Sequence, residues 1–169
     1  MNQNDFTDLS GVTEKQFPDG IFLPHRLNDE MVSVMMEITE HLDHYDQLKK
    51  DVIYADHGDV VDGAYYSQGE IELWHASIGM LTEAIELNQA IWAWIIGQEQ
   101  LDVVNVAEEI GDSRFYEAMF LRKLGLSPSV IMENNINKLK SRYPGGFSDH
   151  AALNRDIDTE RKILEDDSE

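Results

Sequence analysis

Between residues 70 and 97 nearly every position is apolar, small or acidic, and the pattern repeats with helical spacing. Trp74, Ile78, Leu81, Ile85, Trp92 and Ile95 form one stripe. Leu73, Met80, Ala84, Leu87, Ile91 and Trp94 form a neighbouring one. Two adjacent apolar stripes leave little of a helix for water, so this element is expected to be largely buried. Its third face, read in steps of three and four, is Glu72, Ala76, Gly79, Glu83, Glu86, Ala90, Ala93 and Gly97. Small residues there permit close approach by another helix or a ligand, and two acids sit among them.

The rest of the chain supplies helices to pack against this one. Residues 1–25 read as an irregular arm punctuated by Gly11, Pro18, Gly20 and Pro24. Asn28 is the expected N-cap of a first helix that runs to about Lys50, with Asp29 and Glu30 in its first turn. Its apolar stripe is Met31, Val34, Met35, Ile38 and Leu42. Residues 52–69 form a loop with Gly58, Gly63 and Gly69 before the long helix. A third helix is expected over residues 101–124, stopped by Gly125. Ser127 and Pro128 read as N-cap and first residue of a fourth, which ends near Tyr143 ahead of Pro144, Gly145 and Gly146. A polar last helix covers about 149–164. No strand-like alternation and no internal repeat appears. The expected fold is all-α, four-helix-bundle-like with an additional terminal helix. It divides into an arm (1–27) and a single helical catalytic domain (28–169), with helices two and three antiparallel.

Charge narrows the function. The 169 residues carry 33 acids against 13 bases, a formal net charge of −20. Such a chain lacks the basic footprint of a nucleic-acid binder. A nucleotide remains compatible once metal ions neutralise some carboxylates. There are no cysteines, which excludes disulfides and thiolate metal sites and agrees with a reducing cytoplasm. The first residues are polar and acidic rather than signal-like, and acids or amides interrupt every apolar stretch, so no membrane span or membrane partner is expected.

Most of the acids solvate the surface, but two pairs do not fit that account. Glu83 and Glu86 lie within the long apolar helix. In the third helix Asn105, Glu109, Asp112 and Tyr116 share a stripe beside core candidates Val103, Val106, Ile110 and Met119. Antiparallel pairing would bring Glu83, Glu86, Glu109 and Asp112 together. Carboxylates gathered inside a bundle repel one another and require a cation. Oxygen-only ligands favour a hard ion, Mg²⁺ or Mn²⁺. Acid pairs three apart also occur at Glu37 and Glu40, Asp43 and Asp46, and Asp59 and Asp62, so spacing alone is a weak signal.

The local strings sharpen it. "IGMLTEAIEL" (78–87) followed by "AEEIGD" (107–112) resembles the MazG-like nucleotide pyrophosphohydrolases, which carry E-x-x-E and E-x-x-D on adjacent helices. "NINKLKSRYPGGF" (135–147) is similar to the helix that follows in phage and bacterial members, and overall likeness is to the phage MazZ type, which acts on dGTP. The resemblance covers about residues 70–161. It implies an all-α, homo-oligomeric enzyme (dimer or tetramer) that converts a nucleoside triphosphate to the monophosphate and pyrophosphate. Two or three Mg²⁺ ions, replaceable by Mn²⁺, would be held by Glu83, Glu86, Glu109 and Asp112. The expected location is the cytoplasm, the host's if the chain is phage-encoded.

Asn135, Lys138 and Arg142 fall on one side of the fourth helix, where they would meet phosphate or sugar oxygens. Surface salt bridges are the alternative in so acidic a chain. For the base, Trp74, Trp92, Trp94 and Tyr116 offer stacking surfaces, though aromatics at helical spacing are more often core. Asn105 and Asn88 offer amide edges. Two other readings stay open. Glu72 and His75 form one E-x-x-H, and His41 and His44 lie three apart, as in a ferritin-like di-iron bundle, which needs two E-x-x-H motifs. The aromatic stripes would also suit a non-catalytic helical interaction protein. No nucleophile elbow, Walker A loop or dinucleotide fingerprint is present.

Overall fold

A computed structural model describes residues 1–15, 23–58, 62–97 and 99–166. Every regular element among them is an α-helix: α1 (Gln3–Gly11), α2 (His25–Ile53), α3 (Gln68–Ile95), α4 (Val103–Leu124), α5 (Pro128–Arg142), α6 (Asp149–Leu153) and α7 (Ile157–Asp166). The all-α expectation therefore holds. No helix among the described residues is long and apolar enough to cross a membrane. The chain divides into two compact units, where the sequence suggested one helical domain from residue 28 onward. One draws on Met1–Phe22 and Leu126–Glu169, the other is Leu23–Gly125.

The Leu23–Gly125 unit consists of α2, α3 and α4. Capping sets the start of α3. The Ser67 hydroxyl accepts from the Glu70 amide at 3.3 Å, and the Glu70 carboxylate accepts from the Ser67 amide at 2.8 Å. This reciprocal box satisfies two donors that the first turn leaves unpaired and stabilises the end by about 1 kcal/mol. Asp102 caps α4 by accepting from the amides of Val104 and Asn105. Gly125 ends it at φ +65°, a conformation that a side chain disfavours. The start of α2 departs from expectation. The Pro24 carbonyl accepts from the amides of Leu27 and Asn28, so Asn28 lies inside the first turn and does not cap it.

Contacts fix the directions. Lys49 meets Thr82 and Tyr54 meets His75, so α2 and α3 are antiparallel. Lys123 meets Glu72 and Tyr116 lies on Gly79, so α3 and α4 are antiparallel as expected. The buried residues of α3 are Ala76, Gly79 and Glu83 on the small-and-acidic face, together with Thr82 and with Ile85 of the first apolar stripe. The apolar stripes of α3 are covered only in part: Ile85 is buried, and Leu73, Trp74, Ile78, Leu87, Ile91 and Trp92 are half-buried. Met80, Leu81, Trp94 and Ile95 are exposed, because within this unit α2 and α4 leave that side open. Val103 and Ile110, predicted core residues of α4, are exposed too, and its one buried residue is Glu109. Val106 and Met119 are half-buried.

The other unit holds α1, α5, α6 and α7. The expected irregular arm is helical over Gln3–Gly11, because the Asn2 side chain accepts from the Asp5 amide and caps it. Pro18 and Gly20 lie outside the described residues. Pro128 opens α5 as expected, although the Ser127 hydroxyl meets that of Ser129 and no backbone amide. The predicted last helix is two helices. Asp156 accepts from the Thr159 amide and hydroxyl, which makes a second N-cap inside the expected span. Ile136 and Tyr143 form the buried apolar centre of the described part of this unit.

Candidate metal centre

The site begins with a missing side chain. A Cβ on Gly79 would stand 2.2 Å from Cε1 of Tyr116, so the Tyr116 ring of α4 can rest on α3 here only because residue 79 has no side chain. One to two turns further along α3, Glu83 and Glu86 meet Glu109 of α4. Each offers a carboxylate oxygen, and the three oxygens lie within 4.8 Å of one another. Glu83 and Glu109 are both only 7% exposed, and Glu86 is half-buried. Three of the four predicted ligands are therefore brought together. Asp112 lies one turn along α4 from Glu109, exposed and outside the trio, although its charge acts on Glu83.

Crowding and burial change how these groups hold protons. Burial, then the charge of Glu86, then hydrogen bonding with Glu86 and Glu83 push the Glu109 carboxyl up to about 7. Glu83 is also raised, by burial first and then by Glu86. Lys49 and a hydrogen bond with Glu109 oppose that rise. Two carboxylates that cannot both ionise freely share a proton unless a cation replaces it. The donor set suits such a cation: it is carboxylate-only, which favours Mg²⁺ or Mn²⁺ over softer ions.

Lys49 of α2 is the residue that the sequence reading missed. It is buried, and its Nζ donates to Thr82 Oγ1 at 3.2 Å and pairs with Asp46 at 3.2 Å. Burial pulls its pKa down, but the Asp46 hydrogen bond and the charges of Tyr116, Asp46 and Glu83 outweigh that and raise it. A signal was present: Ile38, Leu42, Tyr45, Lys49 and Val52 step by three and four, placing a lysine on the packed stripe.

The other predicted site residues fall as follows. Asn105 is half-buried on α4. Tyr116 is half-buried and stacks edge-on with His75 and Phe115. On α5, the side chains of Asn135 and Lys138 make no hydrogen bond or ion pair among the described residues. Arg142 is engaged: its Nε and Nη2 donate to the two carboxylate oxygens of Glu160 at 2.7 and 2.6 Å. Trp74 lines a cavity of about 470 Å³ with Val52, Tyr66, Glu70 and Ile71. Asn88 donates to the Ala84 carbonyl and lines a second cavity with His41 and Tyr45. Trp92 is half-buried and Trp94 exposed.

The di-iron motif does not assemble. Glu72 accepts from Lys123 and Gln68, and the His75 ring packs between Tyr54 and Tyr116. No histidine joins the carboxylate trio among the described residues. Of the other acid pairs, Glu37, Glu40 and Asp43 are exposed, Asp46 is held by Lys49 and Lys50, and Asp59 lies outside the described residues.

Among the described residues, fold and site define an all-helical protein with a largely buried carboxylate trio that could hold a metal ion. Searches of family models, curated proteins and solved structures return no significant match.

Proposed function

We propose that the chain is a MazG-like, Mg²⁺-dependent pyrophosphohydrolase. It would convert a nucleoside triphosphate and water to the monophosphate and pyrophosphate, with dGTP the leading substrate. One observation carries the reading. The acids that come together from α3 and α4 are Glu83, Glu86 and Glu109, and they do so where carboxylates are costly without a cation. They belong to the E-x-x-E and E-x-x-D strings that motivated the family resemblance.

In this reading Glu83, Glu86, Glu109 and Asp112 would hold two or three Mg²⁺ ions, for which Mn²⁺ could substitute. Bound metal would supply charge neutralisation on the phosphates and a water of lowered pKa. Glu86, less buried than its two neighbours, orients the attacking water and takes its proton. The water oxygen bonds to the α-phosphorus, the bond to the bridging oxygen breaks, and pyrophosphate leaves. Asn105 and Tyr116, in the unit that carries the trio, serve the sugar or base. The exposed Leu81, Trp94, Ile110 and Phe115 are suited to a homo-oligomeric seam, dimer or tetramer. The expected setting is the cytoplasm, that of the host for a phage-encoded chain.

The test is an assay with Mg²⁺ against the common NTPs and dNTPs, with products resolved by chromatography. Monophosphate plus pyrophosphate supports the proposal and names the base. Diphosphate plus phosphate keeps the metal site and moves the bond broken. The same exposed apolar residues also suit a second reading, a non-catalytic helical interaction protein. The absence of both Mg²⁺-dependent nucleotide binding and turnover would favour it.

A further inference from the structure

A buried ammonium stands beside the carboxylate trio, and the proposed chemistry gives it no task. Lys49 Nζ reaches Thr82 Oγ1, and that hydroxyl lies 3.3 Å from Glu83 Oε1 and 2.9 Å from the Gly79 carbonyl. Its single proton can serve either acceptor. The Tyr116 ring lies 5.9 Å from the same ammonium. Asp46, at 3.2 Å, neutralises only part of the charge, because it also binds Lys50 at 2.5 Å. Desolvating an ammonium costs several kcal/mol, roughly, and an apolar side chain of the same length would fill the space without that cost. The position of the charge therefore needs another account.

We propose that Lys49 is a built-in counter-cation of the trio. It steadies Glu83 through the Thr82 hydroxyl when no divalent ion is bound, and it opposes the charge of an arriving ion. The inference rests on the metal-site reading above. Two effects of opposite sign follow. The charge of Lys49 weakens the hold on a lone divalent cation, whereas the hydrogen bond from Thr82 strengthens it by orienting Glu83. A site weakened in this way fills when nucleotide phosphates supply further ligands, the usual mode for Mg²⁺. Metal occupancy is thereby tied to the presence of substrate.

The experiment is a titration of the full chain with Mn²⁺ in the absence of nucleotide, with free Mn²⁺ read by paramagnetic resonance. Lys49→Met should tighten binding about tenfold, the scale of removing one charge several ångströms from a divalent ion. Thr82→Val should weaken it about threefold, the loss of one modest hydrogen bond. Lys50→Met removes an exposed charge and frees Asp46 for Lys49, so it should tighten binding far less than Lys49→Met. If Lys49→Met does not fold, Lys49→Gln keeps a donor to Thr82 and should tighten binding in the same direction. Unchanged or weaker binding in the folded Lys49 variant overturns the proposal. If wild type and Lys49→Met both bind no Mn²⁺, with or without nucleotide, the metal-site reading falls and this inference with it. The expected affinity series without any triphosphate hydrolysis supports the inference and leaves only the enzyme reading to fall.

Discussion

The ring of Tyr116 occupies the space that any side chain on Gly79 would need. If this contact governs the spacing of α3 and α4, it also governs how Glu83 and Glu86 meet Glu109. Gly79→Ala should cost about 1–3 kcal/mol, the range for forcing a methyl into a packed contact. It should also weaken Mn²⁺ binding. Tyr116→Ala in the same chain should recover part of the stability, because it removes the atoms that clash. A double-mutant cycle by urea unfolding measures that coupling, and additive losses would mean that the contact does not govern the helix spacing.

Glu109 makes metal-free stability depend on pH. Its carboxyl is raised from 4.5 to about 7, so the folded chain binds this proton more tightly than the unfolded one. The resulting stability is complete below about pH 4.5 and is lost as pH rises through about 7. Its size is on the order of 3 kcal/mol. In EDTA, the contribution of this group should lower the melting temperature between pH 5 and 8, and Glu109→Gln should flatten that slope. Mg²⁺ should displace the proton. Calorimetry at pH 6 in two buffers of different ionisation enthalpy should therefore show proton release on binding.

Replacing a ligand should separate activity from stability. Glu83→Gln, Glu86→Gln and Glu109→Gln each remove one of the crowded charges, so metal-free melting should hold or rise while turnover falls by about 100-fold or more. Asp112→Asn should also lower turnover, with little change in melting, because Asp112 is exposed. Wild-type activity in Glu86→Gln or Asp112→Asn would falsify their assigned roles.

Lys138 and Arg142, four residues apart on α5, should behave differently. Lys138→Ala should leave unfolding nearly unchanged, because the Lys138 side chain makes no hydrogen bond or ion pair among the described residues. Arg142→Met breaks a two-bond pair with Glu160, which Arg155 also contacts, and leaves a buried carboxylate half-paired. About 2–4 kcal/mol of stability should be lost. Arg142 and then Arg155 hold Glu160 down at about 2. The stability it provides is therefore present above pH 4.5 and disappears as pH falls through about 2. Acid titration of the wild type and Glu160→Gln compares the two directly.

The helices and the acidic face were legible because both follow from spacing. The third face of the long helix is packed, with Ala76, Gly79 and Glu83 buried. Stop signals at Gly125 and Tyr143 also held, because glycine and proline act locally. The N-cap at Asn2 and the break at Asp156 escaped because each depends on one short-range hydrogen bond that composition does not reveal. The exposed residues of the α3 stripes could not be foreseen. Periodicity says which residues avoid water, and says nothing of how many neighbouring helices a unit supplies. Lys49 was hidden for a related reason. A lysine on an apolar stripe reads as a solvated stem until the acid and hydroxyl that hold its ammonium are seen.

The two units differ in how they close along the chain. Leu23–Gly125 is one continuous segment, complete once its last helix has left the ribosome. The other unit is split: α1 packs on α5, and Lys15 pairs with Asp149 at 2.6 Å across 134 positions of sequence. During synthesis the first helix has no native partner until most of the chain has been translated, while the carboxylate-bearing helices can already be in place. The acidic centre can therefore form before α1 meets α5, because all of its residues lie in one uninterrupted segment.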